Sequence, residues 1–131
     1  MKRIKLSDEF NTVTVKKGEI FSFDMETGSY ERDIAWWPQL VNGTLGWYWK
    51  RAAQDQVEYA YSSSELKRGD RGLYWIQSEA FRAVREGEFE FDVRPIIAGD
   101  SDVKGEYCTD VPGAPVKLGN PVRRFKIVIK A

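Results

Sequence analysis

Histidine is missing from the 131 residues, and with it the side chain that titrates near neutral pH and the commonest metal ligand. Cysteine occurs once, at Cys108, so neither an internal disulfide nor a thiolate metal cage can be built from this chain alone. Net charge is lacking too. Twenty basic residues offset 20 acidic ones, which removes any global electrostatic pull toward nucleic acid or an anionic membrane. No apolar run approaches the roughly 20 residues needed to cross a bilayer. The opening Met1-Lys2-Arg3-Ile4-Lys5-Leu6 is basic but has no apolar stretch behind it, unlike a secretory leader. Synthesis in a cytoplasm is therefore expected, with no cofactor, no metal, no nucleic acid and no membrane among the partners.

What is present is aromatic and alternating. Five Trp, six Tyr and seven Phe sit in a chain that is 42% apolar, and its length suits one domain with a core of its own. Ile4 and Leu6 alternate with basic residues, and Thr12-Val13-Thr14-Val15 is β-branched throughout. Phe21, Phe23 and Met25 share one face, as do Leu45, Trp47 and Trp49, and then Val57, Tyr59 and Tyr61. Leu73 to Ile76 is short and aromatic, and Phe125, Ile127 and Ile129 close the chain. Phe89, Phe91 and Val93 against Glu88, Glu90 and Asp92 form the cleanest alternation of all. Turn signals at Asn42-Gly43, Arg68-Gly69-Asp70, Glu86-Gly87, Pro112-Gly113 and Asn120-Pro121 separate the runs. The pattern predicts an all-β, Ig-like antiparallel β-sandwich of about seven or eight strands.

Two segments break the rhythm. Ser78 to Gly87 has a capping serine, good helix formers and a terminal glycine, which predicts one or two helical turns. The stretch 97–117 is long, polar and rich in Gly, Pro and Asp, and reads as a functional loop. Trp36 and Trp37 precede Pro38, where the chain should be leaving a regular element.

Nothing here assembles a catalytic site. Glu88, Glu90 and Asp92 read as the solvated side of a sheet, because no histidine or positioned nucleophile accompanies them. Asp100, Ser101, Asp102 and Glu106 resemble a calcium loop in composition but lack its register. Arg68-Gly69-Asp70 reads as a turn rather than an integrin ligand, and Cys108, in a loop, as incidental. Trp47 and Trp49 are expected in the core. The candidate contact residues are Trp36, Trp37 and Tyr48, with Asp100, Asp102 and Tyr107 on the long loop.

Taken in order, several pieces resemble the small Ig-like β-domains of tailed-bacteriophage structural proteins, such as the N-terminal domain of upper baseplate proteins. Lys17-Gly18-Glu19-Ile20-Phe21-Ser22-Phe23 is similar to that family's opening strand. Pro38-Gln39-Leu40-Val41-Asn42-Gly43 with Trp47-Tyr48-Trp49-Lys50-Arg51 resembles its P-x-[DN]-L-T-G turn and following strand, with Gln39 in place of the acidic residue. Ser78 to Val84 falls at its short helical turn, and Gly87 to Val93 is similar to its G-x-Y-x-[YF]-D-[IV] strand. Pro121-Val122-Arg123-Arg124 sits where that family returns to the sheet. The resemblance implies a non-enzymatic virion component, a capsid decoration or a tail or baseplate connector. Its partners would be other virion structural proteins in a symmetric or homo-oligomeric assembly, with residues 1–11 as an N-terminal arm.

A second resemblance is to chagasin-type inhibitors of cysteine peptidases. Met25-Glu26-Thr27-Gly28 partly matches the first inhibitory loop, Arg94-Pro95 matches two residues of the third, and Arg124 to Ala131 is similar to the last strand. Ile96 stands where that family has tryptophan, and the asparagine-proline of the first loop is missing. This alternative implies a wedge that blocks a peptidase. A carbohydrate-binding module using Trp36 or Trp37 is a third reading. The first two differ at 78–86: a helical turn there favours the phage domain, an uninterrupted strand the inhibitor.

Overall fold

Alternating runs become strands wherever one face finds another sheet to cover it, and the described residues form ten strands. The computed structural model describes residues 1–27, 35–41, 57–70, 72–97, 104–108 and 116–131. In chain order the strands are β1 (Lys2–Lys5), β2 (Thr12–Lys16), β3 (Ile20–Thr27), β4 (Trp36–Leu40) and β5 (Val57–Gly69), then β6 (Gly72–Ala83), β7 (Gly87–Ile97), β8 (Glu106–Cys108), β9 (Val116–Leu118) and β10 (Arg123–Lys130). One sheet has the order β1-β3-β6-β5; the other runs β2-β10-β7-β9-β8, with β4 also paired to β7. Val122 and Gly119 donate to the carbonyls of Val93 and Pro95, whereas Ile96 donates to Ala35. The line of β9 and β10 therefore occupies one edge of β7, and β4 the other.

The all-β, Ig-like sandwich expected from the alternation is the fold observed, with one refinement. Two edge pairings, β1 with β3 and β10 with β2, are parallel. The chain starts in one sheet, crosses, and continues in the other, so residues 1–11 are built into both. Ile4 is 1% exposed in the core. The crossing is held by Arg123, whose guanidinium donates to the carbonyls of Leu6 (2.6 Å), Asp8 (2.5 Å) and Phe10 (2.9 Å) and to Asn11 Oδ1 (2.8 Å).

The core is a stack of phenyl rings. Phe91 meets Phe23 at 5.1 Å, Phe81 at 5.3 Å and Phe21 at 5.9 Å, and Phe23 meets Phe125 at 6.0 Å. Each ring buried from water contributes roughly 1.5–3 kcal/mol. On the outer side of β7, Glu88 and Glu90 pair with Lys126 and Arg124 of β10, as a solvated sheet face would. Asp92 departs from that picture: it is buried, and Arg124 grips it with two bonds of 2.7 and 2.9 Å.

The helical turn expected at 78–87 is not formed. Residues 72–83 are one strand, followed by a bend before Gly87. Ser78, Ala80 and Arg82 lie opposite Asp24, Ser22 and Ile20 of β3, while Tyr61, Ser62 and Ser63 of β5 hold the other side. Hydrogen bonding to two neighbours, together with small side chains that fit close sheet packing, overrides a local helical preference. Trp36 to Leu40 is likewise a strand despite Pro38. It is tolerated because the bonds to β7 at Ala35 and Val41 set Pro38 with its missing N–H away from β7, on a side where no strand pairs among the described residues. The stretch 97–117, read as loop, contains the paired strands β8 and β9. Cys108 thus lies in a strand, opposite Val116.

Candidate functional site

Several chain reversals gather at one end of the sandwich. The register pairs Thr27, the last residue of β3, with Trp75, and the β5–β6 hairpin turns just beyond at Asp70. In the other sheet Trp36, at the start of β4, lies opposite Pro95, near the end of β7. Gln77 joins the two sheets here. Its Oε1 accepts from the Trp36 N–H (3.0 Å) and its Nε2 donates to the Trp36 carbonyl (2.8 Å). The Trp36 indole N–H donates to the carbonyl of Glu26 on β3 (3.0 Å). The ends of β3 and β7, the start of β4 and the β5–β6 hairpin therefore form one rim.

The hairpin overhangs that rim. Among the described residues, pairing with β3 reaches Trp75, whereas β5 and β6 stay paired down to Gly69 and Gly72. Gly72 has φ +113°, a conformation that the tight reversal needs and that L side chains rarely adopt. Leu66 and Trp75 face each other across the ribbon, on the inward-pointing side but past the cover of the second sheet. They are 47% and 44% exposed, with Leu73 at 36%.

Behind the rim, the inner face of β6 turns polar. Glu79 is 4% exposed and accepts from the Tyr59 hydroxyl (2.9 Å), Ser62 Oγ (2.7 Å) and Gln77 Nε2 (3.0 Å). Burial, and then the Glu79 carboxylate, push the Tyr59 phenol well above its ordinary value. At the end of β7, Arg94 is buried, donating through Nε to the Gly119 carbonyl (2.6 Å) and through Nη1 to Gln39 Oε1 (2.7 Å). It acts as an internal brace and leaves Pro95, Ile96 and Ile97 half-buried at the rim. A Cβ on Gly119 would come within 2.9 Å of the Pro95 ring, and one on Gly105 within 2.6 Å of the Leu118 carbonyl. Those two glycines let the β8–β9 segment close tightly over the end of β7.

The residues singled out from sequence separate here. Trp36 stands half-buried at the rim. Trp37 does not belong to any contact surface: it is 4% exposed, packed 5.8 Å from Tyr59 and 6.2 Å from Phe81, because its register faces the core. Tyr107 is in β8, opposite Lys117. Tyr48, Asp100 and Asp102, with Trp47 and Trp49, lie outside the described residues. Arg68-Gly69-Asp70 is part of the hairpin reversal, in line with its reading as a turn. Leu66, Leu73 and Trp75 were not singled out; the signal was an aromatic run, Leu73 to Ile76, directly after that turn.

Among the described residues no group of three or more His, Cys, Asp or Glu is placed to hold a metal. A groove of about 550 Å³ on the outer face of the β1–β3–β6–β5 sheet mixes Arg3, Lys5 and Lys67 with Asp24, Glu26 and Glu65. Its buried carboxylate is already engaged, since Asp24 accepts from Ser22, Ser78 and Arg3.

The sequence matches no family model and no curated protein. Among solved structures, the chain is similar to EhICP2, a cysteine protease inhibitor from Entamoeba histolytica, with a TM-score of 0.63 and 10% identity over 98% of this chain and 95% of that one. It is also similar to amebosin, at a TM-score of 0.48 and 11% identity over 98% and 97% of the two chains. The virion reading is corrected on two grounds: a strand replaces the helical turn it required, and the solved structure whose fold the chain shares is EhICP2, a cysteine protease inhibitor rather than a virion protein. Virion structural proteins as partners and the virion as location fall with it. At 10% identity what the likeness establishes is the fold, an Ig-like β-sandwich shared from end to end with that inhibitor.

Proposed function

We propose that this chain acts by binding, as a chagasin-like inhibitor that inserts the rim into the active-site cleft of a papain-like cysteine peptidase. The observation that carries this reading is the rim itself. It brings the base of the first-loop match, Met25 to Thr27, and the third-loop match, Arg94-Pro95, to the same end as a projecting hairpin. The end-to-end likeness to EhICP2 supports it.

A non-cleaved inhibitor needs a stiff edge whose backbone is held out of attack geometry, and an apolar anchor that displaces water from the cleft. The described strands that lead into the rim, β3, β4, β5, β6 and β7, all lie in sheets, which holds their ends in place. The family's tryptophan is Ile96 in this chain, so the aromatic anchor falls to Trp75 on the neighbouring hairpin. Titrating the protein against papain tests the reading. Stoichiometric, reversible inhibition with the inhibitor recovered intact is expected, and Trp75→Ala should weaken it by about tenfold or more, as loss of an interface hot spot does. Full peptidase activity at micromolar inhibitor would overturn the reading.

A further inference from the structure

We infer that Gln77 is a positioning residue for this binding edge, through a clasp that ties the side of β4 turned away from β7 to the opposite sheet. The inference rests on the inhibitory reading and adds to it the device that holds the rim in shape. Bonds from Ile96 N–H to the Ala35 carbonyl and from Val41 N–H to the Glu90 carbonyl flank β4 and set the backbone of its odd-numbered residues, Trp37 and Gln39, toward β7, so the N–H and carbonyl of Trp36 point away from their own sheet. An edge strand normally leaves such groups to water. Here the Gln77 carboxamide meets both, accepting from one and donating to the other, as the peptide group of a further strand would.

Its orientation is set by Glu79. The carboxylate can only accept, and it takes a hydrogen from Gln77 Nε2 at 3.0 Å, which fixes the amide nitrogen toward Trp36 O and the oxygen toward Trp36 N. Glu79 is in turn held by Tyr59 and Ser62 of β5. From Trp36 the chain of bonds passes through the indole N–H to the Glu26 carbonyl on β3. Four strands that lead into the rim are thereby locked to one another by side chains. A wholly apolar seam would hold the sheets together as well, but it would not fix the register of Trp36 against Gln77. Directional bonds do, and a preorganised edge loses less freedom on docking.

Gln77→Met tests the clasp, because it keeps the length and packing of the side chain and removes the amide. Amide exchange at Trp36 should accelerate selectively, and the peptidase complex should dissociate about tenfold faster or more. Ile129→Val, at the opposite end of the sandwich, is the control for simple loss of stability and should leave the dissociation rate unchanged. Gln77→Glu keeps the acceptor for Trp36 N–H, loses the donor to Trp36 O and sets a second carboxylate beside Glu79, so it should not rescue the methionine variant's defect. Equal dissociation rates for the parent and Gln77→Met would overturn the clasp while the inhibitory reading stands. No inhibition by the parent chain would overturn that reading, and the role assigned to Gln77 with it.

Discussion

Tyr59 shows how much one register position decides. Its ring packs 5.7 Å from Phe81 while its hydroxyl reaches the buried Glu79 carboxylate. Ionising that phenol would strip the bond of its proton and set two anions together, so the folded state holds the proton more tightly than the unfolded chain does. The sign follows from linkage. The contribution is intact below the unfolded tyrosine value of about 10 and is lost as pH rises through that value toward the raised folded one. Denaturant titrations at pH 7 and above pH 10 should find Tyr59→Phe about 1 kcal/mol less stable at neutral pH, with a shallower alkaline decline than the parent. Parallel declines in the two proteins would refute the assignment. From sequence, Tyr59 was one member of an alternating run, Val57, Tyr59 and Tyr61. Alternation places a ring inward but is silent on the carboxylate waiting there, because Glu79 lies on another strand, 20 residues away.

At the scale of elements, one guanidinium gathers the backbone of the crossing between β1 and β2. Arg123 satisfies the carbonyls of Leu6, Asp8 and Phe10 while lying 4.3 Å above the Phe125 ring centroid. Arg123→Met should cost roughly 1–3 kcal/mol, the range for losing charge-assisted bonds to partly buried acceptors. Hydrogen exchange should rise first in β1 and β2, ahead of β7; uniform acceleration would contradict this local role. The elements also mark where pattern reading stops. Six of the ten described strands follow alternations visible in the chain: β1, β2, β3, β5, β7 and β10. Strand β6 extends through a segment whose composition favours helix, and β4 contains a proline. In both cases the outcome depended on neighbours that local sequence does not name.

For the whole molecule, the two sheets meet through Phe91, which touches Phe21, Phe23 and Phe81 of the opposite sheet. Phe91→Ala should therefore cost about 3–5 kcal/mol, lowering the denaturant midpoint with the slope unchanged if unfolding stays cooperative. A loss under 1 kcal/mol would mean that the sandwich does not depend on this layer. By itself the sequence determined the class of this fold. Period-two alternation of large apolar side chains leaves stacked sheets as the arrangement that buries them. Only the tertiary structure decided where the rim lies. Gln77, Trp36, Trp75 and Pro95 are scattered over 60 positions of the chain and meet because strand register, set by long-range pairing, brings their ends to one rim.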